Sequence, residues 1–83
     1  MDVLGLDDPP YRKTQEAILR RVGANARAIR ATRGITQEEA GFRSGIGYKR
    51  WQEIEAGRTN TTLLTISRMA AVLRVDVQKL FKP

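Results

Sequence analysis

Apolar residues recur every three or four positions along most of the chain, with polar residues filling the other faces. Ala17, Ile18, Val22, Ala26 and Ile29 fall on one side of a helix. Arg20, Arg21, Arg27, Arg30 and Arg33 lie around it. Gly34 stops this helix in the usual C-terminal manner, and Gly23 permits either one long helix or a break. Thr36-Gln37-Glu38-Glu39 has the form of a capping box, in which the Thr36 hydroxyl accepts from the Glu39 N–H and the Glu39 carboxylate reaches back. A short helix over residues 37–44 is expected next, with Ala40 and Phe42 as apolar positions and Gly41 admitting a close neighbour. Gly45 ends it, Ile46-Gly47 makes a tight connection, and a third helix runs over residues 48–56 to Gly57. Residues 58–61 read as a polar loop. Thr62 can cap a fourth helix carrying Leu63, Ile66, Met69, Ala70 and Leu73. Arg74-Val75 interrupts the pattern, and Asp76 can cap a last short helix with Val77, Leu80 and Phe81. No segment alternates with a period of two, so no sheet is expected. The predicted fold is all-α, a compact bundle of about five helices.

Residues 1–10 stand apart from this pattern. Asp7-Asp8-Pro9-Pro10 cannot continue a helix and brings little apolar surface. The segment is expected to be a flexible acidic N-terminal tail, with residues 11–83 forming a single domain. Charge follows the same division. Of 15 basic and nine acidic residues, three acids and no base lie in residues 1–11, so residues 12–83 carry a net +9. Eleven of the bases are Arg, whose forked guanidinium suits phosphate. The chain has no His and no Cys, which excludes histidine bases, thiol nucleophiles and the common zinc ligand sets. No nucleophile–base pair suggests an enzyme, and no cofactor or metal site is expected. The chain shows neither an apolar run of about 18 residues nor a signal-peptide pattern, so a cytoplasmic protein with no membrane role is expected.

Two short helices joined by a glycine turn have the length and punctuation of a helix-turn-helix. Gly45 supplies the positive φ such a turn needs. Ile46, Trp51 and Ile54 can pin the second helix to the core, which leaves Tyr48, Lys49, Gln52 and Glu53 on the opposite face. The stretch from Thr36 to Ile46 resembles the Cro and phage-repressor class, the XRE family. The likeness continues through Ile54-Glu55-Ala56-Gly57-Arg58-Thr59-Asn60, Leu63, Ala70, Leu73 and Val75-Asp76. It implies a lambda-repressor-like DNA-binding domain over about residues 21–81. Family members of this size include phage repressors, controllers of restriction–modification systems and antitoxins.

The resemblance also implies roles. Gln37 would contact a phosphate and brace the recognition helix. Gly47, Tyr48, Lys49, Arg50, Gln52 and Glu53 would form that helix and its entry, and Arg58, Asn60 and Thr61 would meet the sugar–phosphate chain. Arg30 and Glu55 match a frequent internal ion pair. Four positions depart from the pattern. Ala40 stands for a usual Leu, with Phe42 or Trp51 expected to compensate. Trp51 replaces a smaller aliphatic residue, Thr61 a frequent Pro, and Arg74 a frequent Gly, at a cost of about 1 kcal/mol if the left-handed conformation is kept.

The side chains themselves suit duplex DNA. Lys49 can donate to guanine, Gln52 can grip adenine in two-pronged fashion, and Glu53 can accept from the amino group of cytosine. Basic residues near phosphate add sequence-independent affinity. The expected protein is thus a sequence-specific transcription regulator that binds a double-stranded operator as a homodimer. The alternative is a protein-interaction module, an antitoxin or a transcription bridging factor, that meets its partner through residues 1–20. Two other readings are weaker. Gly41, Gly45 and Gly47 lack the preceding strand and the following Gly-Lys-Ser/Thr of a phosphate-cradling loop. A basic membrane-surface helix over residues 12–33 is disfavoured because Gly34 and Thr36 lead straight into a compact fold.

Overall fold

A computed structural model of the protein describes residues 10–83, so the expected acidic tail lies outside the described residues apart from Pro10. The elements are α1 (Tyr11–Arg33), α2 (Gln37–Ser44), α3 (Tyr48–Glu55), α4 (Leu63–Leu73) and a 3₁₀ turn (Val77–Leu80). No strand occurs among the described residues. The all-α fold matches expectation, with a 3₁₀ turn as the fifth element.

Local chemistry explains the helix ends. The capping box is complete: the Thr36 hydroxyl accepts from the Glu39 N–H at 3.0 Å, and the Thr36 N–H donates to Glu39 Oε1 at 3.1 Å. Thr62 caps α4 through the Thr65 N–H, and Asp76 caps the 3₁₀ turn through the Gln78 N–H. Arg74 closes α4 in the left-handed region, with φ 61°. Its N–H and that of Val75 bond back to Ala71 and Ala70, so the chain adopts a glycine-type ending without the glycine.

α1 is continuous through Gly23 over 23 residues, about 35 Å at the usual rise. Gly23 is there for packing. It is buried, and a Cβ on it would collide with the carbonyl oxygens of Ile54 and Glu55 at the end of α3. Gly41 acts likewise between α2 and α3. A Cβ there would lie 2.6 Å from the carbonyl carbon of Gly47 and 2.7 Å from the nitrogen of Tyr48.

α3 therefore packs on both α1 and α2, while α4 closes the bundle against α1 and α2. Trp51, Ile54, Met69, Leu73 and Leu80 are the largest enclosed side chains. Ala40 joins the same core as Trp51, so the large indole makes up volume that the small Ala40 leaves open. Phe42 does not compensate. Two residues on from Ala40, it faces away from the core and is 85% exposed. Leu63 also departs from expectation at 79% exposure, because it occupies the first turn of α4, where the core has ended. It lines an apolar groove of about 430 Å³ with Tyr11, Ile18, Leu19 and Phe81. Polar ties complete the bundle. The Arg33 guanidinium donates to the carbonyls of Leu73 and Arg74 at 3.0 and 3.2 Å, which places a cation at the negative end of α4. The Asn25 amide donates to the carbonyls of Leu80 and Lys82.

Candidate nucleic-acid interface

The inner side of α3 is fixed first. Trp51 and Ile54 are buried in the core, and one turn on, the Glu55 side chain is only 3% exposed. Its carboxylate accepts from three residues. Arg30 Nε donates to Oε2 at 2.6 Å and Arg30 Nη2 to Oε1 at 3.1 Å. Gln37 Nε2 donates to Oε1 at 2.9 Å, and the Trp51 indole N–H donates to Oε2. Burial alone would raise the Glu55 pKa. The hydrogen bonds from Arg30, Gln37 and Trp51, with the charge of Arg30, outweigh it and hold the carboxyl below its ordinary range. Arg30 also donates to the Ile35 carbonyl at 2.8 Å. One charged carboxylate thus joins α1, α2 and α3, and it contains the ion pair that the resemblance implied.

The outer side presents Tyr48, Lys49 and Gln52 to solvent, with Glu53 half-buried. Gln37, Lys49, Gln52, Glu53 and Arg58 line one shallow polar hollow. Five of the predicted contact residues therefore converge. Tyr48 opens on a second polar hollow beside it, lined also by Arg27, Thr36 and Gln37. The first residues of α2 and α3 share this hollow with Arg27, the acidic Glu38 and Arg30, which is already paired with Glu55; two positive helix ends and Arg27 are what suit it to phosphate. Arg27 was not singled out as a contact from sequence. The available signal was its position one turn before Arg30 on α1.

Other predicted residues are placed differently. Gly47 has φ 97°, and its N–H donates to the Gly41 carbonyl at 2.9 Å, so that N–H is already engaged. Arg50 sits at the edge of the exposed face, its Nη2 3.5 Å from the Asn60 carbonyl. The Asn60 side chain accepts from the Thr61 N–H at 2.9 Å, and both residues line the apolar groove instead of the polar hollow. Gln37 is tied to α3 at two points. Besides its bond to Glu55, its Oε1 accepts from Gln52 Nε2 at 3.3 Å, and the same Gln52 nitrogen donates to the Tyr48 hydroxyl at 3.1 Å.

A capped short helix, a left-handed glycine turn and a second short helix locked inside and polar outside define the helix-turn-helix class. The chain belongs to the helix-turn-helix family, whose pattern matches residues 27–80. It is 37% identical over 62 residues to y4dJ of Sinorhizobium fredii (strain NBRC 101917 / NGR234), an uncharacterised HTH-type transcriptional regulator. That match covers 75% of this chain and 80% of y4dJ. The fold is similar to the crystal structure of the restriction–modification controller protein C.AhdI from Aeromonas hydrophila, with a TM-score of 0.75 and 31% identity. This likeness covers 78% of the chain and 98% of C.AhdI. The first 16 residues of α1, before Arg27, precede the family pattern. Among the described residues, no helix is long and apolar enough to cross a membrane.

Proposed function

We propose that the protein is a sequence-specific transcription regulator that binds a roughly palindromic operator as a homodimer, with α3 in the major groove. One observation carries this reading. The inner side of α3 is held by Glu55 and the core, while Lys49, Gln52, Glu53 and Arg58 share the polar hollow on the outside. A recognition helix needs this division, since fixed side chains read base edges and nearby bases hold the backbone. Two copies would read half-sites about one helical turn apart. The likeness to a restriction–modification controller supports a regulator of that kind, acting in the cytoplasm without a catalytic step of its own.

A second reading, a protein-interaction module working through residues 1–20, is favoured by the apolar groove. Tyr11, Ile18 and Leu19 on its rim all precede the family pattern.

Selection of the purified protein against a random duplex pool at about 150 mM salt, where charge alone binds weakly, tests the proposal. A recovered palindrome is expected. An unenriched pool together with a stoichiometric protein partner in a pull-down would replace it with the second reading.

A further inference from the structure

The polar relay behind α3 restricts how one of its side chains can read a base. It begins at Glu55, whose carboxylate is held charged by Arg30. A charged carboxylate accepts hydrogen bonds and donates none. The Gln37 group facing it at 2.9 Å must therefore be the amide nitrogen. The Gln37 oxygen is then directed at Gln52, which must answer with its own nitrogen, 3.3 Å away. That nitrogen carries two hydrogens, and its second acceptor is the Tyr48 hydroxyl oxygen at 3.1 Å. Both donors of Gln52 are now engaged within the protein. Its carbonyl oxygen accepts from none of the described residues. The Tyr48 hydroxyl, having accepted from Gln52, keeps its own proton for an outside acceptor.

We infer that Gln52 reads DNA as a hydrogen-bond acceptor alone, so its place in the half-site takes either base with a major-groove amino group, adenine or cytosine. Glu55 and Gln37 are positioning residues for this choice. The inference rests on the proposed DNA-binding function and departs from the two-pronged adenine contact expected from sequence. That contact needs one amide hydrogen for adenine N7 while the oxygen accepts from N6, and neither hydrogen is free. Thymine and guanine offer acceptors at the corresponding positions and leave the Gln52 oxygen without a donor.

The test is duplex-pool selection with the wild type, Gln52→Leu, Gln52→Glu and Tyr48→Phe, each first checked for an unchanged melting temperature. The wild type should return one half-site position shared by adenine and cytosine. Gln52→Leu should erase that preference and leave the other positions intact. Gln52→Glu, which keeps acceptor oxygens and loses both donors, sets an acceptor against the Gln37 oxygen and should weaken binding overall, yet keep an amino-bearing base there. Tyr48→Phe frees one amide hydrogen, so adenine should now exceed cytosine by about tenfold or more. A wild-type preference for adenine alone at the Gln52-dependent position would overturn the inference. So would an adenine-to-cytosine ratio that ignores Tyr48→Phe, or a Gln52→Leu variant that alters no position. Each of these outcomes leaves a defined operator and the regulator reading standing. A pool with no enriched half-site defeats that reading and this inference together.

Discussion

Replacing Glu55 with Gln should unfold much of what holds α3 in place. The substitution keeps the shape and removes the charge to which Arg30, Gln37 and Trp51 donate. Breaking a buried ion pair from one side costs about 3–5 kcal/mol, because the other charge is left uncompensated. Arg30 keeps its bond to the Ile35 carbonyl, and its side chain is 15% exposed, so the low end applies, about 3 kcal/mol. A chain of this size has a total stability of about 4–12 kcal/mol. At about 4–8 °C per kcal/mol, the melting temperature should fall by about 12–24 °C. The effect has a pH signature. The Glu55 carboxyl titrates below its ordinary value of 4.5, so its contribution is complete above that value and disappears as the pH falls through the folded-state pKa. Circular dichroism melts of both proteins near neutrality and at about pH 3 should show a wide gap that narrows in acid. A gap below about 0.5 kcal/mol near neutrality, the size of an ordinary surface substitution, would refute the reasoning. A gap of constant size across the pH range would refute the role of charge.

Three further outcomes are expected. Gly23→Ala should destabilise by about 3 kcal/mol, since its Cβ meets main-chain oxygens that cannot rotate away; an unchanged urea midpoint would contradict the close crossing of α1 and α3. Arg74→Gly should stabilise by about 0.5–1 kcal/mol, the relief of a left-handed non-glycine residue less the chain entropy that glycine adds, and a lower melting temperature would show that the conformation carries no strain. Arg58→Ala should weaken binding to all duplexes alike and reduce the salt slope by about one; an unchanged slope would remove Arg58 from phosphate.

What sequence revealed and what it concealed divide by the range of the interactions. Thr36, Glu39, Gly45, Thr62 and Asp76 act within a few residues of themselves, and each element end they mark stands where expected. The buried set Ile66, Met69, Ala70 and Leu73 follows from periodicity in the same way. Periodicity gives a face but not the point at which the core stops, so Leu63 and Ile18 reach beyond it. Gly23 leaves one long helix or a break open in the sequence, because the carbonyls that need its missing side chain come from residues 31 and 32 positions later. The candidate site was readable as a face of α3. The orientation of the Gln52 amide was not, since it depends on a carboxylate three residues further on and a glutamine from another helix. Position in the motif points Asn60 and Thr61 at the sugar–phosphate chain, while the loop's geometry turns them toward the groove.

Gly23 and Gly41 seat α3 against main chain on two sides. Side chains can rearrange by rotation about their bonds, but helical main chain has little such freedom. α3 is therefore stiffly seated, with a preset tilt and depth. If α3 reads half-sites as proposed, a groove that is too narrow or wound to the wrong pitch must bend or twist to fit it. The deformation energy depends on the sequence being deformed. Base steps that α3 never touches should then contribute to recognition, and an easily distorted spacer between half-sites should bind better than a rigid one with the same contacts.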